Sequence, residues 1–182
     1  MPASAIERVR PLIRTRQMRE FTDEPPTDGE LEAITEVARW SGSSKNEQPW
    51  RFIVIRDVDT IRKIAEAGLP QTRSLRTAMG AVAIVLPDEP GRQLSRAYDD
   101  GRAAERMLIA ASMLGLGGGI AWIRSDVRDV IRDLLGLPPD RFVRTIVALG
   151  HPTEAARRPK SAPGKGRLPR EELIFEEHWP SR

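Results

Sequence analysis

Eight consecutive residues, Ser43-Ser44-Lys45-Asn46-Glu47-Gln48-Pro49-Trp50, concentrate hydroxyls, an amide pair and a cation in one short stretch. Asn and Gln each offer a donor and an acceptor, which suits a flat heterocycle with alternating donors and acceptors. Pro49 fixes the backbone and Trp50 supplies an anchor. An ordinary polar turn ahead of a strand reads the same way, and these residues alone leave both readings open. A second cluster lies near the C-terminus. From Arg157 to Arg170 there are six basic residues (Arg157, Arg158, Lys160, Lys165, Arg167, Arg170) and no acidic one. Such a run is a solvated basic loop, a phosphate site or a nucleic-acid tail.

Other chemistries find little support. The chain has no cysteine, which excludes disulfides, thiolate metal sites and a cysteine nucleophile. His151 and His178 stand in no metal-binding spacing and read as surface residues. No G-x-S-x-G is present, so a hydrolase triad is unsupported. Gly115, Gly117, Gly118 and Gly119 follow a helix and precede a strand, the reverse of the order a dinucleotide fingerprint needs. Taken alone they predict a helix stop followed by a flexible turn.

The elements that must position these groups follow from periodicity. Ile6, Val9, Leu12 and Ile13 predict a helix over 5–14, with Pro11 awkward inside it. Thr27 and Glu30 can form a capping box for a second helix ending near Trp40. Phe52–Ile55 is a short β-branched strand, 61–67 a helix, and Ala81–Leu86 an apolar strand buried on both faces and ended by Pro87. A long helix is expected over 94–114, apolar on much of its circumference through Ala103, Ala104, Met107, Leu108, Ala111 and Met113. A strand over 120–123, a helix over 127–135 and a strand over 143–149 complete the core. This interleaving argues α/β or α+β. The 32 residues after Gly150 carry one weak strand, Leu173–Phe175, and must pack on their own domain or on a partner chain.

The chain has 182 residues, 40 % of them hydrophobic, which suits one domain with a real core. The N-terminus is charged and lacks the apolar stretch of a secretory signal. No apolar run approaches the roughly 20 residues of a membrane helix. The expectation is a cytoplasmic protein with no membrane and no nucleic-acid partner. Only one tyrosine is available to stack bases, and the acids from Glu171 to Glu177 oppose a phosphate track.

Several segments, in order, resemble the nitroreductase family. Thr15-Arg16-Gln17-Met18-Arg19-Glu20-Phe21 resembles its basic opening motif. Ser43 to Trp50 resembles its P-S-x-x-N-x-Q-P-W segment, with Gly42 where Pro is usual. Asp100 to Glu105 looks like the start of its central helix and Leu114-Gly115-Leu116-Gly117 like its end. Gly136-Leu137-Pro138, Ala148 to Pro152, and Lys165-Gly166-Arg167-Leu168-Pro169 fall in the family's order. Each motif is weak singly, and their order and spacing carry the match.

The resemblance implies an α+β three-layer sandwich, a mostly antiparallel central sheet flanked by helices. It implies a homodimer whose long helix forms the dimer face and whose C-terminal extension wraps the partner, with Leu173–Phe175 as an added edge strand. Residues 1–150 would form the FMN-binding domain and 151–182 the extension. Arg16, Gln17 and Arg19 would face the phosphate, ribityl chain or pyrimidine edge of FMN. Gln17 stands where Ser is common and Thr15 where a second base is common, and Arg14 could compensate. Ser43, Ser44, Asn46 and Gln48, contributed by the partner, would hold the ring and ribityl hydroxyls. Backbone groups near Ile123 and Arg124 would meet N5 and O4, and Lys165 and Arg167 would complete the phosphate clamp. No protein catalytic residue is implied, because the flavin does the chemistry. The implied activity passes a hydride from NAD(P)H by way of the flavin to a nitroaromatic, a quinone or a similar flat small-molecule acceptor. A competing reading is a flavin- or deazaflavin-binding protein with little turnover, motivated by the departures at Gln17, Gly42 and Arg124. Arg73 and Arg76 could favour a 2′-phosphate on the co-substrate.

Overall fold

Ser4 and Thr27 each open a helix in the computed structural model, which describes residues 4–158 and 166–179. Helix α1 is Ala5–Arg14 and helix α2 is Asp28–Arg39. Both carry a full capping box: the Thr27 N–H donates to Glu30 Oε2 at 2.7 Å, and the Glu30 N–H to Thr27 Oγ1 at 3.2 Å. These reciprocal bonds satisfy N-terminal donors that the helix itself cannot. Pro11 does not break α1. The helix runs through it, closing with Thr15 Oγ1 donating to the Pro11 carbonyl at 3.1 Å.

Strand β1 (Arg51–Ile55), helix α3 (Val58–Ala67), strand β2 (Gly80–Pro87), helix α4 (Gln93–Met113), strand β3 (Gly117–Trp122), helix α5 (Arg128–Leu135), strand β4 (Arg141–Gly150) and the short α6 (Glu154–Arg157) follow. The four strands form one sheet in the order β1-β2-β4-β3, antiparallel at every pairing. The two central strands are alternating apolar ladders with both faces covered. Ala81, Ala83 and Val85 of β2 join Ile146 and Ala148 of β4 under Ile61, Ile64 and Ile131 from α3 and α5. Val82, Ile84 and Leu86 join Val147 and Leu149 under Leu31, Ile34, Ala103, Ala104 and Met107 from α2 and α4. The result is three layers, helices on sheet on helices, as an α+β chain with period-2 strands and amphipathic helices must build. A bulge interrupts the ladder: Ile84 faces Thr145 while Val85 faces Val143. The extra residue, Arg144, leaves Thr145 on the α4 side.

Two expectations need correction. Gly117, Gly118 and Gly119 are not a flexible turn but the start of β3, paired with Gly150, Leu149 and Ala148. The helix stop is Gly115 alone, at φ +77°. Glycine is required at 119 because a Cβ there would lie 2.2 Å from the Met18 carbonyl oxygen. Finally, Leu173–Phe175 forms no strand. Arg170–Glu172 makes one 3-10 turn, and the residues after it are irregular.

Helix α1 buries nothing within the chain. Its apolar residues Ile6, Val9, Leu12 and Ile13 are 58, 43, 53 and 62 % exposed. Leu94, Tyr98 and Met113 of α4 are exposed as well.

Candidate functional site

Two of the segments singled out in the sequence, 15–21 and 43–50, sit at opposite edges of the sheet. The segment from Thr15 to Glu20 runs along the outer edge of β3. The Met18 N–H donates to the Gly118 carbonyl at 2.8 Å, and the Ile120 N–H donates to Gln17 Oε1 at 3.2 Å. Both bonds satisfy groups that an edge strand otherwise leaves to water. The Gly119 gap lets this segment approach so closely. Arg16 is anchored by its Nη2, which donates to the Ala156 carbonyl at 3.3 Å and to the Arg157 carbonyl. Arg19 is exposed and lines a cleft with Glu20, Arg73, Arg76 and Thr77.

The Ser43–Gln48 loop leads into β1, the other edge. It turns sharply: Lys45, Asn46 and Gln48 have φ of 51°, 57° and 48°. Left-handed backbone in non-glycine residues costs on the order of 1 kcal/mol each and persists only where the surroundings impose it. Here they do. The Gln48 N–H donates to Ser43 Oγ at 2.9 Å, and Gln48 Nε2 donates to the Asn46 carbonyl at 3.3 Å. The Ser44 N–H donates to Asp99 Oδ1 at 3.2 Å. Glu47 accepts from Arg92 at 2.5 Å and from Arg96 at 2.8 Å. Those two guanidiniums, Arg92 first, hold the Glu47 carboxyl below its ordinary range. Pro49 and Trp50 are buried, and Trp50 stacks on Phe52 with ring centroids 6.3 Å apart. The side chains of Ser44, Asn46 and Gln48 are left on the surface.

A Cβ at Gly42 would sit 2.6 Å from Arg102 Nη2, the flexible end of an exposed side chain from α4 that can move aside, so glycine is not required there. Beside it, Ser44, Leu94, Ser95, Tyr98, Asp99 and Arg102 line a groove of about 570 Å³.

The sequence reading missed what grips the loop from α4. Arg96 is 4 % exposed and Asp99 1 % exposed. Arg96, Asp99 and Asp100 continue, at helical spacing, the same face that carries Ala103, Ala104 and Met107. That placement of charges on an apolar stripe was the available signal. Asp100, 3 % exposed, accepts from Thr145 Oγ1 at 2.7 Å. Burial pushes its carboxyl up from 3.8 to about 6, although Thr145 and Arg144 act the other way.

The remaining candidates lie near the β3 edge. Ile123 is fully buried and its N–H donates to the Arg144 carbonyl at 2.8 Å, so that donor is taken within the sheet. The Arg124 side chain folds onto Asp126 at 2.8 and 2.9 Å and onto the Leu69 carbonyl at 2.9 Å. Arg167 is exposed, and Lys165 lies outside the described residues. Among the described residues no cluster of three or more His, Asp or Glu could hold a metal ion. No helix among them is long and apolar enough to cross a membrane.

A single chain therefore does not bring the two groups together. Three inter-strand spacings of about 4.8 Å put the edges roughly 14 Å apart across the sheet, with β2 and β4 between them.

The Nitroreductase family model matches residues 13–85. A provisionally named NADH dehydrogenase/NAD(P)H nitroreductase of Archaeoglobus fulgidus is 33 % identical over 149 residues, spanning 76 % of this chain and 82 % of that protein. An oxygen-insensitive NADPH nitroreductase of Salmonella typhimurium is 31 % identical over 181 residues, spanning 90 % of this chain and 71 % of that one. Among solved structures, a provisionally named nitroreductase of Desulfovibrio desulfuricans in complex with FMN superposes with a TM-score of 0.79. It is 26 % identical and is covered over 98 % of this chain and 100 % of that one.

Proposed function

The chain belongs to the nitroreductase family, and from that premise we propose that two copies assemble around FMN, each joining its β3 edge to the Ser43–Gln48 loop of the other. It is an FMN-dependent NAD(P)H oxidoreductase. The observation that carries the two-copy reading is the separation of the halves to opposite edges of one sheet. The exposed apolar face of α1 and the uncovered Leu94, Tyr98 and Met113 of α4 support it, because a monomer gains nothing from leaving such residues in water.

The residues present fit the cofactor. Arg16, Gln17 and Arg19 offer guanidinium and amide groups along the β3 edge, suited to a phosphate and a pyrimidine rim. Ser44, Asn46 and Gln48 offer hydroxyl and amide groups on a loop whose backbone is fixed in advance, which lowers the entropy lost on binding. Arg167 and Lys165 would add cations to the phosphate. Of the strand-end pair, the Ile123 N–H is engaged by Arg144, so backbone contact to the ring falls to Arg124. FMN, when bound, supplies the two-electron chemistry by accepting and passing on hydride at its N5. The chain's own part is to bind, to orient, and to place a fixed charge: Arg19, beside the pyrimidine edge, favours negative charge there.

The acceptor is a flat, electron-poor small molecule, a nitroaromatic or a quinone, admitted to the face from which the nicotinamide departs. Purified protein should show flavin absorbance bands and twice the chain mass in solution. A colourless protein that stays colourless after FMN is added would overturn the reading. Rapid bleaching of the oxidised band by NADPH in stopped flow would separate a reductase from a flavin carrier.

A further inference from the structure

Arg19, Arg73 and Arg76 meet in a cleft of about 330 Å³, completed by Glu20 and Thr77. Three cations against one carboxylate leave a net charge of +2 there. Among the described residues neither Arg19 nor Arg73 joins an ion pair, and Arg76 reaches only Glu66, loosely, at 3.8 Å. Guanidiniums that outnumber their neighbouring acids repel one another, and an anion relieves that repulsion.

The cleft is built on a firm floor. Residues 73–76 form a 3-10 turn pinned from beneath by Arg62. Its Nη1 donates to the Leu75 carbonyl at 2.6 Å and to the Ala78 carbonyl at 2.7 Å. Thr72, fully buried, donates through Oγ1 to the Ala65 carbonyl at 2.6 Å. Ser74 packs toward Gly119, where an added Cβ would find it at 3.2 Å and the Met18 carbonyl at 2.2 Å. The turn that carries Arg73 and Arg76 thus touches the same stretch of β3 against which Gln17 and Met18 dock. It borders the proposed flavin edge without belonging to the Ser43–Gln48 half.

We propose that this cleft is the co-substrate's phosphate subsite: Arg73 and Arg76 hold the 2′-phosphate of NADPH and so select NADPH over NADH. The inference rests on the oxidoreductase reading. Its volume suits a ribose phosphate rather than a whole dinucleotide. A 2′-phosphate dianion is the one group that distinguishes NADPH from NADH, and planar guanidinium forks match its oxygens. The diphosphate, common to both co-substrates, gives no discrimination.

The test uses the full-length protein and two probes, 2′,5′-ADP and 5′-AMP, measured by calorimetry. The wild type should bind 2′,5′-ADP about tenfold or more tightly than 5′-AMP, since one charge-assisted contact is worth roughly that factor. The double variant Arg73→Ala/Arg76→Ala should lose that preference, and its ratio of kcat/KM for NADPH over NADH should fall by about thirtyfold. Both side chains are exposed, so an unchanged melting temperature will show that the fold is kept. Arg73→Lys should restore part of the preference. Equal affinity of the wild type for the two probes overturns the proposal. So does a double variant that keeps the co-substrate ratio while FMN affinity drops, which would assign these arginines to the flavin's own phosphate. A chain that never takes up FMN but still prefers 2′,5′-ADP would sink the oxidoreductase reading and leave the subsite standing.

Discussion

The two edges of the sheet hold the halves of the proposed site by opposite means. At the β1 edge the Ser43–Gln48 loop is gripped by side chains. Arg92 and Arg96 take Glu47, and Asp99 takes the Ser44 N–H, from the N-cap and first turns of α4. At the β3 edge the segment of Arg16, Gln17 and Arg19 is held by bonds to backbone groups, made by the Met18 N–H, Gln17 and Arg16, and through the absence of side chains at Gly117–Gly119. The first edge depends on charges in place; the second depends on space left empty. Each should therefore fail in its own way, and a variant at one edge should spare the other.

The largest effect is expected at the empty edge. Gly119→Ala puts a methyl 2.2 Å from a backbone oxygen, which no rotamer change can relieve. Overpacking of that kind should cost about 3 kcal/mol. Urea unfolding should record the loss, and FMN affinity should fall with it, because Gln17 loses its seat against Ile120. A Gly119→Ala protein of unchanged stability would show that the 15–20 segment is not anchored as described.

Next comes the buried acid behind the charged edge. Asp100 has its carboxyl raised from 3.8 in the unfolded chain to about 6 in the folded one. Between those values the folded state binds more protons than the unfolded, so stability falls as pH rises through that window. Above about pH 6 the ionised carboxylate costs roughly 3 kcal/mol, two units at about 1.4 kcal/mol each. Asp100→Asn removes the titration and can still accept from Thr145. The variant should be the more stable protein at pH 8 by up to about 3 kcal/mol, with the gap closing below pH 4. A gap of constant size from pH 4 to 8 would contradict the raised carboxyl.

Arg96→Met should cost about 2 kcal/mol. That is less than a fully buried ion pair, because Glu47 and Glu89 are 27 and 43 % exposed and can return to water, although Asp99, 2 % exposed and 3.9 Å from Arg96, cannot. Its diagnostic effect is on the loop. Lys45, Asn46 and Gln48 lose part of what imposes their left-handed backbone, so FMN affinity should drop while Gln17 and its neighbours stay docked. Hydrogen exchange confined to residues 43–48 would confirm the division of labour; exchange spreading to residues 15–20 would break it.

The contrast between the edges also explains what was legible in the sequence. The strands and helices of the three-layer core, apart from the glycine half of β3, were readable, because Ala81–Leu86, Val143–Leu149 and the α4 stripe bury residues at periods of 2 and 3.6 that a linear reading detects. The loop at 43–48 and the segment at 15–19 stood out by composition. What grips them did not. Asp99 lies 55 positions from Ser44, and Arg96 lies 49 from Glu47. Such pairings are set by how α4 crosses the sheet, and no local pattern encodes them. The glycines at 117–119 were misread for a related reason. A glycine run signals freedom when read locally, whereas here it signals crowding, by Met18 from a distant part of the chain. Leu173–Phe175 has strand composition but no neighbouring strand within its own chain to pair with.

The smallest effect tests the assembly on which the comparison depends. Ser4 and Thr27 cap α1 and α2 by the same capping box. Replacing a cap of this type with Ala costs about 1 kcal/mol when the helix is coupled to the fold. Helix α2 buries Leu31, Ile34 and Ala38, so Thr27→Ala should lower stability by that amount at any protein concentration. Helix α1 buries nothing within its chain, so in a monomer its fraying is uncoupled from unfolding. Ser4→Ala should then leave a dilute, dissociated sample unchanged, and should destabilise by about 1 kcal/mol only where a second copy covers Ile6, Val9, Leu12 and Ile13. Thermal melts of both variants across a hundredfold range of concentration read this directly. If Ser4→Ala is silent in the assembled protein too, α1 packs on no partner, and the face that unites the two edges must be sought on α4 alone.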